Sequence, residues 1–123
     1  MIIDISGEHM MIENYAFGHI VINGIRYTSD IKIVQGKVLS NWRRKGGHQV
    51  VVEDIMDILN SGPDILVFGK GKTGLMKSSG SLREFLNSKN IELIEEKTTE
   101  AVQTFNRLFE EGRNISAGFH LSC

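Results

Sequence analysis

The sequence predicts a layered α/β domain: a largely parallel sheet carrying helices, joined to an antiparallel β element built from the N-terminal half. Three observations carry this. Short apolar runs separated by turn signals fill the first half. Helical periodicity alternates with short apolar runs in the second half, and strand–helix–strand units imply right-handed crossovers between parallel strands. The composition is that of one globular domain, with 123 residues, 41% hydrophobic and 24% charged, close to the common size and average usage of folded domains. The chain is read as a single domain over residues 1–123.

The elements follow in order. Tyr15 to Ile22 is rich in aromatic and β-branched residues. Asn23-Gly24 is a two-residue hairpin signal, with Ile25-Arg26-Tyr27-Thr28 as the return strand. Asp30 to Val34 alternates, Gln35-Gly36 turns, and Lys37 to Ser40 returns, giving an antiparallel meander of half-buried strands. Val52, Ile55, Ile58 and Leu59 share one helix face, closed by Gly62-Pro63. Ile65-Leu66-Val67-Phe68 suits a strand covered on both faces. Ser81-Leu82-Arg83-Glu84 reads as a capping box opening a helix to about Ser88. Ile91 to Ile94 is the next strand. Thr98 or Thr99 caps a third helix with the stripe Ala101, Val102, Phe105, Leu108 and Phe109, ended by Gly112. Ile115, Ala117, Phe119 and Leu121 alternate with polar or small residues, as in a half-buried final strand. The expected core draws on Ile55, Leu59, Leu66, Phe68, Leu93, Phe105, Leu108 and Phe119.

Composition narrows the function classes. Fourteen Lys and Arg against fifteen Asp and Glu give a formal charge of −1, so no global basic excess attracts nucleic acid or an anionic membrane. Cys123 is the one cysteine, so no intramolecular disulfide forms and a reducing compartment is expected. Met1 to Ser6 lacks a basic n-region and a long apolar run, and no segment approaches the ~20 apolar residues of a spanning helix. The expected address is the cytoplasm, with no membrane partner.

Candidate site residues cluster after the most apolar strand, in Gly69-Lys70-Gly71-Lys72-Thr73-Gly74. Loops beyond the carboxyl ends of parallel strands favour ligands, glycines let backbone amides approach an anion, and two lysines add charge. Gly71-Lys72-Thr73 is not a nucleoside-triphosphate loop, because the required glycine five residues earlier is Leu66. A looser anion site remains, against the simpler reading of a solvated turn. Trp42-Arg43-Arg44-Lys45-Gly46-Gly47-His48 is the strongest basic run; Trp42 either stacks on a base or on a guanidinium, or tucks into the core. Arg43 and Arg113 could join the glycine loop around a carboxylate or phosphate. His9, His19, His48 and His120 show no paired metal-ligand spacing, so no metal and no cofactor is expected. Cys123 reads as a free thiol, and Glu53, Asp54 and Asp57 as a solvated helix face. Met10, Met11 and Tyr15 read as packing residues.

Several of these segments together resemble a small α/β family spread through archaea and bacteria, which includes the mammalian adipogenesis-associated protein and a mitochondrial assembly factor for respiratory complex I. The resemblance covers most of the chain. It lies in Trp42-Arg43, in Asp64-Ile65-Leu66-Val67-Phe68-Gly69-Lys70-Gly71, in Ala101-Val102 with Phe105-Asn106-Arg107-Leu108, and in Glu111-Gly112-Arg113. Phe105 stands where the family commonly has tyrosine. The ending Phe119-His120-Leu121-Ser122-Cys123 looks like that of the mammalian member. The resemblance implies a three-layer fold around a central mixed sheet, no settled activity and no catalytic residues to carry over. The complex I role belongs to one mitochondrial branch, and this chain is read as lacking a transit segment.

Two functions remain. One is a binding or assembly module without catalysis of its own, with a protein partner or a homodimer surface. The other is a binder or enzyme for a small anion at Gly69 to Gly74.

Overall fold

The computed structural model describes residues 9–123. Met1 to Ser6, read above for targeting signals, lie outside the described residues. The chain runs β1 (Ile12–Ala16), β2 (His19–Ile22), β3 (Ile25–Tyr27), β4 (Ile31–Val34), β5 (Lys37–Leu39) and β6 (Gln49–Val50). A 3₁₀ turn (Val52–Ile55) leads into α1 (Met56–Ser61), then β7 (Ile65–Lys70), β8 (Lys77–Ser78), α2 (Gly80–Ser88), β9 (Glu92–Glu96), α3 (Thr98–Glu110) and β10 (Ile115–His120).

The central sheet has five strands in the order β5-β4-β10-β7-β9. β10, β7 and β9 are parallel, whereas β4 pairs antiparallel both with β10 and with β5. The expected single meander therefore splits. β1-β2-β3 forms its own antiparallel sheet, and the β4–β5 hairpin extends the central one. Burial decides the split: Ile31 and Ile33 of β4, fully buried, sit opposite Phe119 and Ala117 of β10.

The side-chain alternation of strands divides the interior into two cores. Ile65 and Val67 of β7, with Ile115, Ala117 and Phe119 of β10, pack against α3 and the three-stranded sheet. Leu66 and Phe68 face the other way, toward Trp42, Ile55, Ile58, Leu82 and Leu86. The apolar run of β7 is thus covered on both faces, as its composition requires. β10, expected to be half-buried, is buried along its whole length because it is the middle strand of five. Of the expected core, Leu59 and Leu93 are only half-buried. Asn106 docks the small sheet onto α3: its amide accepts from Ile12 N at 2.9 Å and donates to Ile12 O at 2.8 Å.

Three cap and face assignments are corrected. The cap of α2 is Ser79, whose Oγ accepts from Leu82 N at 3.1 Å; Ser81 already lies in the first turn. Neither Thr98 nor Thr99 caps α3, because Thr98 is the first helical residue and its hydroxyl serves a tertiary role described below. Asp54 is buried, since its carboxylate accepts from Lys45 N at 3.1 Å and Val51 N at 2.9 Å. The predicted helix from Val52 opens as a 3₁₀ turn and closes at Gly62, which adopts φ +67°. Among the described residues, no helix is long and apolar enough to cross a membrane.

Candidate functional site

The glycine loop clasps the C-terminal segment and the start of α3. Gly69 is buried in β7, where a Cβ would stand 2.6 Å from the Phe119 ring. Gly71 is buried at φ +99°, and its amide donates to Thr98 Oγ1 at 2.8 Å. Lys72 donates its amide to Ser122 O at 2.7 Å, and the Thr73 hydroxyl donates to Cys123 O at 3.1 Å. The Thr98 hydroxyl, fully buried, donates in turn to His120 O at 2.7 Å. These donors are directed at the segment Leu121–Cys123 and at α3. The Lys72 ammonium extends over the Tyr15 ring, 5.8 Å from its centre.

The two outlying cations do not meet at this loop. Arg43 is exposed and lines a groove of about 600 Å³ with Lys32, Trp42, Lys45, Glu53 and Asp57. Arg113 lines a different groove of about 720 Å³, with Met10, Met11, Asn106, Phe109 and Glu110. Lys70, at the end of β7, is the strand partner of His120. Residues paired in register share a sheet face, so these two side chains stand together at the carboxyl ends of the parallel strands.

His120 belongs to a buried polar cluster there, one built from the core outward. Gly118 leaves room for Trp42: a Cβ would be 2.7 Å from its ring. Trp42 is 5% exposed, stacks on Phe68 at 6.0 Å and donates Nε1–H to Asp54 O at 3.0 Å. Its ring carries the Arg44 guanidinium, 4.6 Å from the ring centre. Arg44 Nη2 then donates to Asp30 Oδ2 at 2.8 Å. Asp30 Oδ1 accepts from Leu121 N at 2.8 Å, and His120 Nδ1 lies 2.8 Å from Asp30 Oδ2.

Burial alone would raise the Asp30 pKa. Hydrogen bonds from His120, Leu121 N and Arg44, with the His120 charge, outweigh it and hold the carboxyl below its ordinary 3.8. Asp30 is therefore an ionised acceptor, and Arg44 can only donate. These partners assign the Nδ1 proton of His120 to the bond with Asp30. In the neutral ring Nε2 then carries the lone pair. The contact of 3.2 Å between Arg44 Nη2 and His120 Nδ1 adds no bond in that tautomer. Arg44 Nη1, His120 Nε2 and Ser78 Oγ are buried without a partner among the described residues. The exposed His48 ring meets His120 edge-on, with centres 5.2 Å apart.

The family of proteins of unknown function called DUF498/DUF598 matches residues 12–120, every element from β1 to β10. The chain belongs to this family. Its fold recurs in solved structures. A conserved hypothetical protein, PH1505 from Pyrococcus horikoshii, is 26% identical with a TM-score of 0.79, covering 91% of this chain and 98% of its own. The protein MT938 is 23% identical with a TM-score of 0.77, covering 94% and 100%. A protein from Bartonella henselae, described as an outer membrane protein, is 23% identical with a TM-score of 0.78, covering 91% and 94%. Likeness at this level carries the fold and no activity.

In this DUF498/DUF598 member, sequence reasoning singled out Arg44 only within a basic run and His120 only for its spacing to Cys123. Asp30 was seen as a strand start. No local signal joins them, since Asp30 and His120 are 90 positions apart. The one available hint was Trp42-Arg43-Arg44: a tryptophan drawn into the core obliges a neighbouring cation to find a buried partner.

Proposed function

We propose that this protein is a binding or assembly module without chemistry of its own, and that its docking face surrounds the C-terminal segment Leu121–Cys123. The carrying observation is that two strongly exposed large apolar side chains lie beside that segment. Phe17 is 57% exposed and Leu75 51%. Both are tied to that segment: Gly18, next to Phe17, donates its amide to Leu121 O at 2.9 Å, and Leu75 donates its own to Cys123 O at 3.1 Å. Tyr15 adds its half-buried ring and donates its hydroxyl to Leu121 O at 2.9 Å. Exposed apolar side chains gathered in one place mark surfaces that a partner covers. The assembly role within the resembling family is consistent with this reading.

The reading of the glycine loop as an anion site has weaker support. The Gly71 and Lys72 amides already serve Thr98 and Ser122, and Arg43 and Arg113 line separate grooves.

The test compares the wild type with a Phe17→Ser, Leu75→Ser double variant by sedimentation velocity and by native co-purification. Exposed positions of this kind change stability by only about 0.5 kcal/mol each, so the variant stays folded. The expected result is a wild-type complex, with a second copy or a protein partner, that the variant loses. A clean wild-type monomer that brings no partner from a native extract would overturn the proposal.

A further inference from the structure

We infer that Arg44 and His120 form a binding site for a small oxyanion that carries its own hydroxyl, hydrogen phosphate being the simplest case. It involves different residues from the docking face, so either can fail alone.

Four observations lead there. The two side chains are 6% and 8% exposed, and each has one polar nitrogen, Nη1 and Nε2, with no partner among the described residues. A buried polar atom without a partner is costly, and natural cores avoid it. They stand at the carboxyl ends of the parallel strands β7 and β10, where open α/β sheets take up ligands. Lys70, beside His120, adds a cation that forms no ion pair among the described residues. The bonds of Asp30 fix the orientation of both groups.

The ligand class follows from the two unpartnered nitrogens. Nη1 is a cationic donor, and in the tautomer that Asp30 sets, Nε2 of an uncharged imidazole is an acceptor. Their complement offers an anionic oxygen to the first and an O–H to the second. Hydrogen phosphate does both. Sulfate only accepts, and would set a lone pair against Nε2. The two nitrogens each expose less than 1 Å², and His48 lies edge-on over the imidazole. A ligand therefore reaches them when the exposed His48 side chain swings off the imidazole, with Arg44 still bonded to Asp30.

The test follows the His120 ring nitrogens by NMR in the full chain, during titration with inorganic phosphate and, separately, with sulfate at matched ionic strength and neutral pH. A saturable change at Nε2 with phosphate, and a markedly weaker one with sulfate, is expected. Lys70→Met should weaken the phosphate response roughly fivefold, the loss of one partly screened charge. Arg44→Gln should weaken it by about tenfold or more, the loss of a charge-assisted hydrogen bond. No saturable change in the wild type, or an equal response to sulfate, overturns the inference. That wild-type comparison decides whether or not Arg44→Gln folds.

Discussion

Two regions at the same end of the sheet use opposite means. In the loop from Gly69 to Gly74 the glycines bring backbone into contact with backbone, and the polar groups engage Thr98, Ser122 and Cys123. In the Asp30–Arg44–His120 cluster the side chains do the holding, and two of them keep an unpartnered nitrogen. A glycine-rich loop is a candidate ligand cradle only while its amides are free; here those of Gly71 and Lys72 are engaged within the fold. Potential for recognition lies instead where the internal hydrogen bonding of buried polar groups is incomplete.

The largest effect should come from breaking the cluster. Arg44→Met leaves Asp30 buried with one cation fewer, and removal of one partner from a buried pair costs about 3–5 kcal/mol. Urea denaturation should show that loss at neutral pH. If the cost is below about 1 kcal/mol, the cluster is no more than a surface pair. Next comes the clasp. Gly71→Ala sets a Cβ 2.4 Å from the Cys123 carbonyl carbon in a left-handed backbone, which should cost roughly 3 kcal/mol from strain and overpacking together. An unchanged midpoint would mean that the C-terminal segment is free to move away, and the contrast between the two regions would shrink.

The smallest effect should be the most diagnostic. The folded pKa of Asp30 lies below its ordinary 3.8. A depressed carboxyl contributes stability that is complete above the ordinary value and fades as pH falls through the folded one. Asp30→Asn should therefore lie furthest below the wild type at neutral pH, and the two stabilities should converge under acid, below 3.8. Parallel curves down to strong acid would show that Asp30 is not held ionised by its neighbours.

Much of the fold was legible because its causes are local. Alternation marked β4, an unbroken apolar run marked β7, and a stripe at helical spacing marked α3. Caps were less legible. Ser79 and Ser81 differ as caps only in which hydroxyl reaches Leu82 N, and Thr98 has the composition of a cap but donates to His120 O. The candidate site was least legible. Lys70 was identified for its loop, yet its place beside His120 depends on the pairing of β7 with β10.

By itself, then, the sequence determined an α/β domain, the order and type of most elements and the residues of a core, because periodicity and turn chemistry act over a few residues. Tertiary structure alone decided that the β4–β5 hairpin joins the parallel strands, that one core becomes two, and that Asp30, Arg44 and His120 meet. Those outcomes depend on which distant segments bury one another. For a buried charge the partner is set by where the chain returns, not by the residues beside it in sequence.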